Sequence, residues 1–171
     1  MTSQEHDVVV IGAGPAGEVA AGRLAENGLD VALVEKHLVG GECSFYGCMP
    51  SKALLRPAQA IAEARRIPGA AEAITGDLDV RAVLDRRTEV IHGQDDSVQL
   101  PWIEDRDITL IRGTARLDGE KVVVVDERRI TVRRAIVLAV GSRAAIPPID
   151  GLRDALPWTR SEEHTSELQS H

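Results

Sequence analysis

Val8-Val9-Val10-Ile11-Gly12-Ala13-Gly14-Pro15-Ala16-Gly17 is the stretch on which the fold turns, and Glu35 completes it. Four consecutive apolar residues make a run of the kind that a parallel strand buries on both faces. A glycine turn follows at once. The alanine-rich residues 15–27 then favour a helix, which Gly28 is placed to end in a left-handed conformation. A second apolar run, Val31-Ala32-Leu33-Val34, leads to Glu35. Together they predict a compact β-α-β unit. Gly12 permits the tight bend, Gly14 lets a pyrophosphate approach the backbone, and Gly17 lets the helix pack on the strand. The helix N-terminus offers N–H groups and partial positive charge to phosphate. Glu35 is placed to accept hydrogen bonds from both hydroxyls of an adenosine ribose. A lone glycine triplet says little, but one set between strand and helix, with an acid closing the unit, predicts a dinucleotide site.

Both cysteines of the chain lie in one run, Gly40-Gly41-Glu42-Cys43-Ser44-Phe45-Tyr46-Gly47-Cys48-Met49-Pro50-Ser51-Lys52. A tight loop or helical turn across that spacing brings two sulfurs within bonding distance. A dinucleotide cradle feeding into such a pair suggests electrons passing from a flavin or nicotinamide to a disulfide. Two other readings stand beside it. A metal pair would want a second pair of cysteines or histidines, which the chain does not offer before residue 160. Two unrelated buried thiols are the other reading, although the glycines at 40, 41 and 47 favour close backbone approach to a ligand. A thiol near a helix start has a lowered pKa, which favours the thiolate. Lys52 is either an ordinary exposed lysine or a positive charge beside a reduced flavin or thiolate. His6 and His92 read as solvated or structural.

The 171 residues suffice for one domain with a real core. A hydrophobic share of 43% and a charged share of 27% are ordinary for a soluble globular protein. A net charge of −7 with 2% aromatic residues argues against attraction to nucleic acid or an anionic membrane. No apolar stretch approaches the roughly 20 residues of a membrane span. The polar N-terminus does not resemble a signal peptide, so the expected compartment is the cytoplasm. There, a close cysteine pair is more often catalytic or metal-binding than structural.

Pro50 suits a helix start, and a helix is expected over residues 51–66, with a kink at Pro57 and a stop at Pro68-Gly69. Val80, Val83, Leu84, Val90 and Ile91 predict a second amphipathic helix over 78–97. A strand is expected at 108–111, a meander at 115–117, 121–125 and 129–132, and a further buried strand at 135–140. Residues 146–151 form a proline-stiffened connector of the sort that leaves one domain for another. Residues 160–171 lack apolar periodicity and read like one translated frame of a DNA-sequencing adapter. They are expected to be a non-native tail; a disordered native tail is the alternative.

Over residues 6–159 the chain resembles the pyridine-nucleotide-disulfide oxidoreductases, the family of dihydrolipoamide dehydrogenase, glutathione reductase and mercuric reductase. The most specific part is Gly40-Gly41-x-Cys43-x4-Cys48-x-Pro50-Ser51-Lys52-Ala53-Leu54. The resemblance implies a truncated α/β, Rossmann-like FAD-binding domain, with a parallel sheet, helices and a small antiparallel meander. That domain would occupy residues 1–151, and residues 152–159 would begin a connector to an NAD(P) domain absent from this chain. It implies that Gly12, Gly14, Pro15, Ala16, Gly17, Glu35, Lys36, Gly41 and Glu42 hold FAD. Backbone around Gly113-Thr114-Ala115 would hold the adenine, and Ala139, Gly141 and Ser142 would belong to a second flavin motif. Cys48 is implied to be the flavin-side thiol and Cys43 the outer thiol that exchanges with substrate, with Lys52 near flavin N5. These three are the implied catalytic residues, all touching the flavin, and no metal is implied. Two positions depart from the family pattern: Glu42 stands where threonine is usual, and Val140 replaces the threonine of the second motif. Family members run to more than twice this length, adding NAD(P) and dimer domains. The implied parent is a homodimer passing electrons between NAD(P)H, FAD, the Cys43–Cys48 disulfide and a small-molecule thiol or disulfide. Gly14-Pro15-Ala16-Gly17-Glu18 leans toward lipoamide dehydrogenases. Alone, the chain is expected to be catalytically silent, at best a nucleotide-binding module.

Overall fold

The structure is a computed structural model that describes residues 4–157, so the expectation for the tail at 160–171 lies outside the described residues. Strand β1 (Gln4–Ile11), helix α1 (Pro15–Glu26) and strand β2 (Val31–Glu35) form the expected β-α-β unit. Val8 stands opposite Val31, and Ile11 opposite Val34. Two helices, α2 (Gly41–Phe45) and α3 (Cys48–Ala64), carry the cysteines, and α4 (Val80–Val90) and α5 (Leu100–Glu104) follow. Strands β3 (Thr109–Arg112), β4 (Ala115–Leu117), β5 (Val122–Val125) and β6 (Arg128–Leu138) complete one sheet of order β3-β2-β1-β6-β5-β4. β3, β2, β1 and β6 run parallel, while β6, β5 and β4 form the antiparallel meander.

Alternation along the strands divides the core between the two faces of the sheet. Val8, Val10, Val31 and Leu33 pack toward Ala21, Ile103 and Ile108, under α1 and α5. On the other face Val9, Ala32, Val34 and Ile111 cluster with Val123, Val125, Ile130 and Val132 of the meander. Full burial of each such valine stabilises the fold by roughly 1.5–3 kcal/mol. β1 lies between β2 and β6: the chain winds from β1 through β2 to β3 on one side, then crosses to the strands on the other. A doubly wound sheet opens a crevice at that switch point, beyond the carboxyl ends of its strands.

Both helix expectations need correction at their ends. Helix α3 starts at Cys48, not at 51, because Pro50 falls in the first turn, where a missing N–H loses no intrahelical bond. Pro57 lies inside α3 and denies the Ala53 carbonyl its usual partner; Arg86 Nη1 of α4 donates to that oxygen instead, at 2.9 Å. The helix expected over 78–97 begins at an Asp79 cap, whose carboxylate accepts the Ala82 N–H at 3.0 Å, but ends at Val90. His92, Gly93 and Gln94 follow with φ of 51°, 60° and 65°, and Asp95 accepts from the Ser97 N–H and Oγ at 2.9 Å each. Local side-chain bonding of this kind competes with helix propagation. Val80, which opens α4, is 64% exposed, while Ile91, just past its end, is 4% exposed.

The strands expected at 129–132 and 135–140 are one strand, β6. Its register with β1 jumps from His6↔Val132 to Val8↔Ala135, so Arg133 and Arg134 oppose the single residue Asp7 in a bulge. Both reach its carboxylate, Arg133 Nε at 2.9 Å and Arg134 Nε at 3.3 Å. Nor is the far end of β6 a buried strand: Leu138 is 61% and Val140 69% exposed, since no described element covers them. Among the described residues no helix is long and apolar enough to cross a membrane.

Candidate functional site

Gly12 leaves β1 at φ 101°, and a methyl there would run into the Ala139 carbonyl beside it. At Gly17 a methyl would overlap the Gly12 carbonyl oxygen, so α1 seats directly on the turn. Gly14 differs from both. Its φ of −78° suits any residue, and a methyl there meets nothing within 4 Å among the described residues. Pro15 and Ala16 are exposed at the start of α1. Burial holds the Glu18 carboxyl, one residue beyond Gly17, above its ordinary pKa.

Glu35, buried at the end of β2, binds the glycine turn to the loop that follows it. Its Oε2 accepts the Ala13 N–H at 2.7 Å, and its Oε1 accepts the His37 N–H at 2.8 Å. Gly40 N–H returns to the Ala13 carbonyl at 2.7 Å. Gly41 then sits at φ 58°, close enough to the turn that its methyl would lie 2.8 Å from Gly14 Cα. The stretch entering the cysteines is therefore welded to the glycine turn by direct backbone contact as well as through the Glu35 carboxylate.

A groove of about 650 Å³ opens above the carboxyl ends of β1 and β6, within the range of small-molecule sites. Gly12, Gly14, Gly41 and Glu42 line one part of it, Glu35 and Lys36 another, and Ala139, Gly141 and Ser142 a third. Nine residues expected to hold a cofactor thus meet in one place. Val140, the middle residue of the second motif, lines it too; His37, Leu38, Tyr46, Arg143, Ala144, Ile146 and Arg153 line it as well and were not anticipated. His37 and Leu38 directly continue Glu35-Lys36, and Tyr46 lies between the cysteines, so adjacency to a motif was the available signal.

Cys43 lies within α2 and Cys48 opens α3, both half-buried. Tyr46 and Gly47 join the helices, donating to the Glu42 carbonyl at 2.9 and 2.6 Å, which folds the end of α2 against the start of α3. Phe45, 1% exposed, anchors α2. Lys52 is exposed one turn into α3 and lines a second groove, with Met49, Arg56 and Arg86. Gly113 and Ala115 lie outside the lining of the first groove. Gly113 follows β3, donates to the Glu35 carbonyl at 3.0 Å, and is crowded by the Asp126 carboxylate. Among the described residues no cluster of histidine, cysteine, aspartate and glutamate could hold a metal ion.

Similarity to known proteins matches this geometry. The dihydrolipoyl dehydrogenase of Acholeplasma laidlawii is 29% identical over 155 residues, covering 90% of this chain and 46% of that protein. The mercuric reductase of Acidithiobacillus ferrooxidans is 35% identical over 176 residues, covering 96% of this chain and 31% of that protein. Among solved structures, the HOCl-induced flavoprotein disulfide reductase RclA of Escherichia coli superimposes with a TM-score of 0.67 at 27% identity, covering 84% of this chain and 30% of RclA. The chain thus spans less than half the length of these relatives. Residues 6–171 match the family described as pyridine nucleotide-disulphide oxidoreductase, and with a glycine turn welded to a dithiol segment in its fold the chain belongs to that family.

Proposed function

We propose that this chain binds FAD in the groove above β1 and β6, and that Cys43 and Cys48 are the redox-active pair of an NAD(P)-dependent flavoprotein disulfide oxidoreductase. Gly14 carries this reading. Neither backbone conformation nor packing asks for glycine there, so the missing side chain leaves room for something outside the chain. A pyrophosphate resting on the turn, beside the N-terminus of α1, fits that space and its polarity.

Bound FAD supplies a two-electron carrier. The chain's own residues do the rest in this reading. Glu35 keeps lone pairs beyond those given to Ala13 and His37, and these accept ribose hydroxyls. Two electrons and two protons open the Cys43–Cys48 bond to two thiols. The Cys43 thiolate attacks a substrate disulfide and forms a mixed disulfide, releasing one substrate thiol. Cys48 then attacks Cys43, restores the bridge and releases the second. The net exchange consumes one NAD(P)H and one proton for each substrate disulfide; with a dithiol substrate it runs in reverse. Lys52 supplies positive charge on the same helix as Cys48.

The same reading makes residues 1–151 the FAD-binding part and 152–159 the start of a connector to a separate NAD(P) domain, in a cytoplasmic homodimer. Dihydrolipoamide is the proposed substrate class, supported by the likeness to dihydrolipoyl dehydrogenases. Mercuric ion is the rival, since mercuric reductases are equally similar. Residues 4–157 leave Leu138 and Val140 exposed beside the groove, which favours a second statement: the chain alone binds the cofactor but does not turn over.

FAD binding by the purified chain and by Gly14→Ala tests the site. The variant should keep its thermal midpoint and lose at least about tenfold in affinity; equal binding by both proteins refutes the site. Anaerobic reductive titration tests the pair, because a disulfide adds one two-electron step to that of the flavin. The wild-type chain should take up twice the electrons per flavin that Cys48→Ser does, and equal uptake excludes the pair. NADH-driven lipoamide reduction by the chain alone would overturn the second statement.

A further inference from the structure

The loop from Lys36 to Gly41 forms the Glu35 end of the groove, where Lys36, His37 and Leu38 face it. Outside contacts hold this loop more than its own bonds do. Glu35 takes the His37 N–H and the Ala13 carbonyl takes the Gly40 N–H, while Gly41 N–H to the Leu38 carbonyl is a bond within the loop. Two further backbone groups, the His37 carbonyl and the Val39 N–H, are also held from outside the loop. Arg112 Nη1, at the end of β3, donates to the His37 carbonyl at 2.7 Å. Asp96 Oδ2 accepts the Val39 N–H at 2.7 Å and also pairs with Arg112 Nη2 at 2.7 Å. A closed ring of charge-assisted bonds thus spans His37, Arg112, Asp96 and Val39. The Asp96 side chain is only 15% exposed, so water competes poorly for it.

We propose that Asp96 and Arg112 are positioning residues for the adenosine half of the bound dinucleotide. Neither side chain lines the groove. They act by fixing the peptide planes at 37–39, which sets where Lys36, His37 and Leu38 present themselves beside Glu35. A loop ordered before binding spares the complex the entropy of ordering it afterwards. The guanidinium fork matters because its two nitrogens serve the His37 carbonyl and the Asp96 carboxylate separately; lysine has one nitrogen and no planar fork to span the two.

This inference rests on the FAD site proposed above, and its test separates the two. Affinities for FAD and for ADP are measured on the full chain, for wild type, Asp96→Ala, Asp96→Asn and Arg112→Lys, alongside thermal midpoints. Asp96→Ala should weaken FAD and ADP by the same factor, about tenfold or more. Asp96→Asn keeps an acceptor for the Val39 N–H, and so should recover part of that loss. Arg112→Lys should fall between wild type and Asp96→Ala. Gly28→Ala, remote from the groove, calibrates what mere destabilisation does to affinity. Wild-type binding with unchanged affinities in Asp96→Ala and Arg112→Lys overturns the positioning role. So does a loss confined to FAD with ADP unaffected, or one no larger than Gly28→Ala gives. A wild-type chain that binds neither FAD nor ADP refutes the FAD site itself.

Discussion

The Glu35 carboxylate accepts the Ala13 N–H at 2.7 Å, so the acid at the end of β2 holds the glycine turn that follows β1. Its other oxygen takes the His37 N–H, and the side chain is buried. An acid read from sequence as a ribose ligand therefore also stabilises the fold. Glu35→Gln turns one of its two acceptors into a donor facing a backbone N–H and leaves that group unpaired. The expected cost is about 1–3 kcal/mol, read as a lower urea midpoint at unchanged slope. A variant with the wild-type midpoint would remove Glu35 from the structural role.

Arg86 and Pro57 are coupled through an oxygen that neither owns. Pro57 withholds a hydrogen bond from the Ala53 carbonyl, and Arg86 supplies one at 2.9 Å. Arg86→Ala should cost about 1–2 kcal/mol, since Ala53 is 3% exposed and its carbonyl would be left unpaired. Pro57→Ala restores a helical donor to the same oxygen, so Arg86→Ala should cost less in that background. A double-mutant cycle by denaturant unfolding measures the difference, and strict additivity would show that the two do not share the carbonyl.

How far the sequence reveals this molecule depends on the range of the interactions. The β-α-β unit is legible because its signals are local: two apolar runs, a glycine turn between them and an acid at the end. Helix α4 is overextended in the reading because periodicity registers Ile91 but not the Asp95–Ser97 bonding that takes the chain out of helix. The bulge at Arg133 and Arg134 depends on Asp7, 126 and 127 residues away. The Asp96–Arg112 ring closes on the loop across separations of 57 and 75 residues, and nothing in the spacing of either residue points to Val39 or His37.

That bulge gives the fold a pH dependence. Hydrogen bonding to Arg133 comes first, then the Asp30 N–H and the charge of Arg134, and together they hold the Asp7 carboxyl well below its ordinary value. Asp7 also holds the Arg133 guanidinium above its usual pKa. A carboxyl with a depressed native pKa binds fewer protons folded than unfolded, near its ordinary value of about 3.9. Its contribution is complete above that value and fades as pH falls through it toward the native one. Urea midpoints measured from pH 6 down to 3 should therefore drop more steeply for wild type than for Asp7→Asn, most clearly at low salt. Parallel acid limbs for the two proteins would rule the bulge out as a source of acid sensitivity.

Gly28 and Gly41 offer the same substitution in two surroundings. Both have positive φ, 79° and 58°. A methyl at Gly28 meets nothing within 4 Å, so Gly28→Ala should carry the conformational cost alone, about 1–2 kcal/mol. At Gly41 the methyl would press on Gly14 Cα at 2.8 Å, forcing apart the glycine turn and the stretch that leads to Cys43. Gly41→Ala should therefore lose more stability than Gly28→Ala and, unlike it, should also weaken FAD binding by an order of magnitude or more. Thermal unfolding and flavin fluorescence on the same two samples decide the matter. Equal affinities would mean that contact between turn and thiol segment shapes the fold without shaping the site.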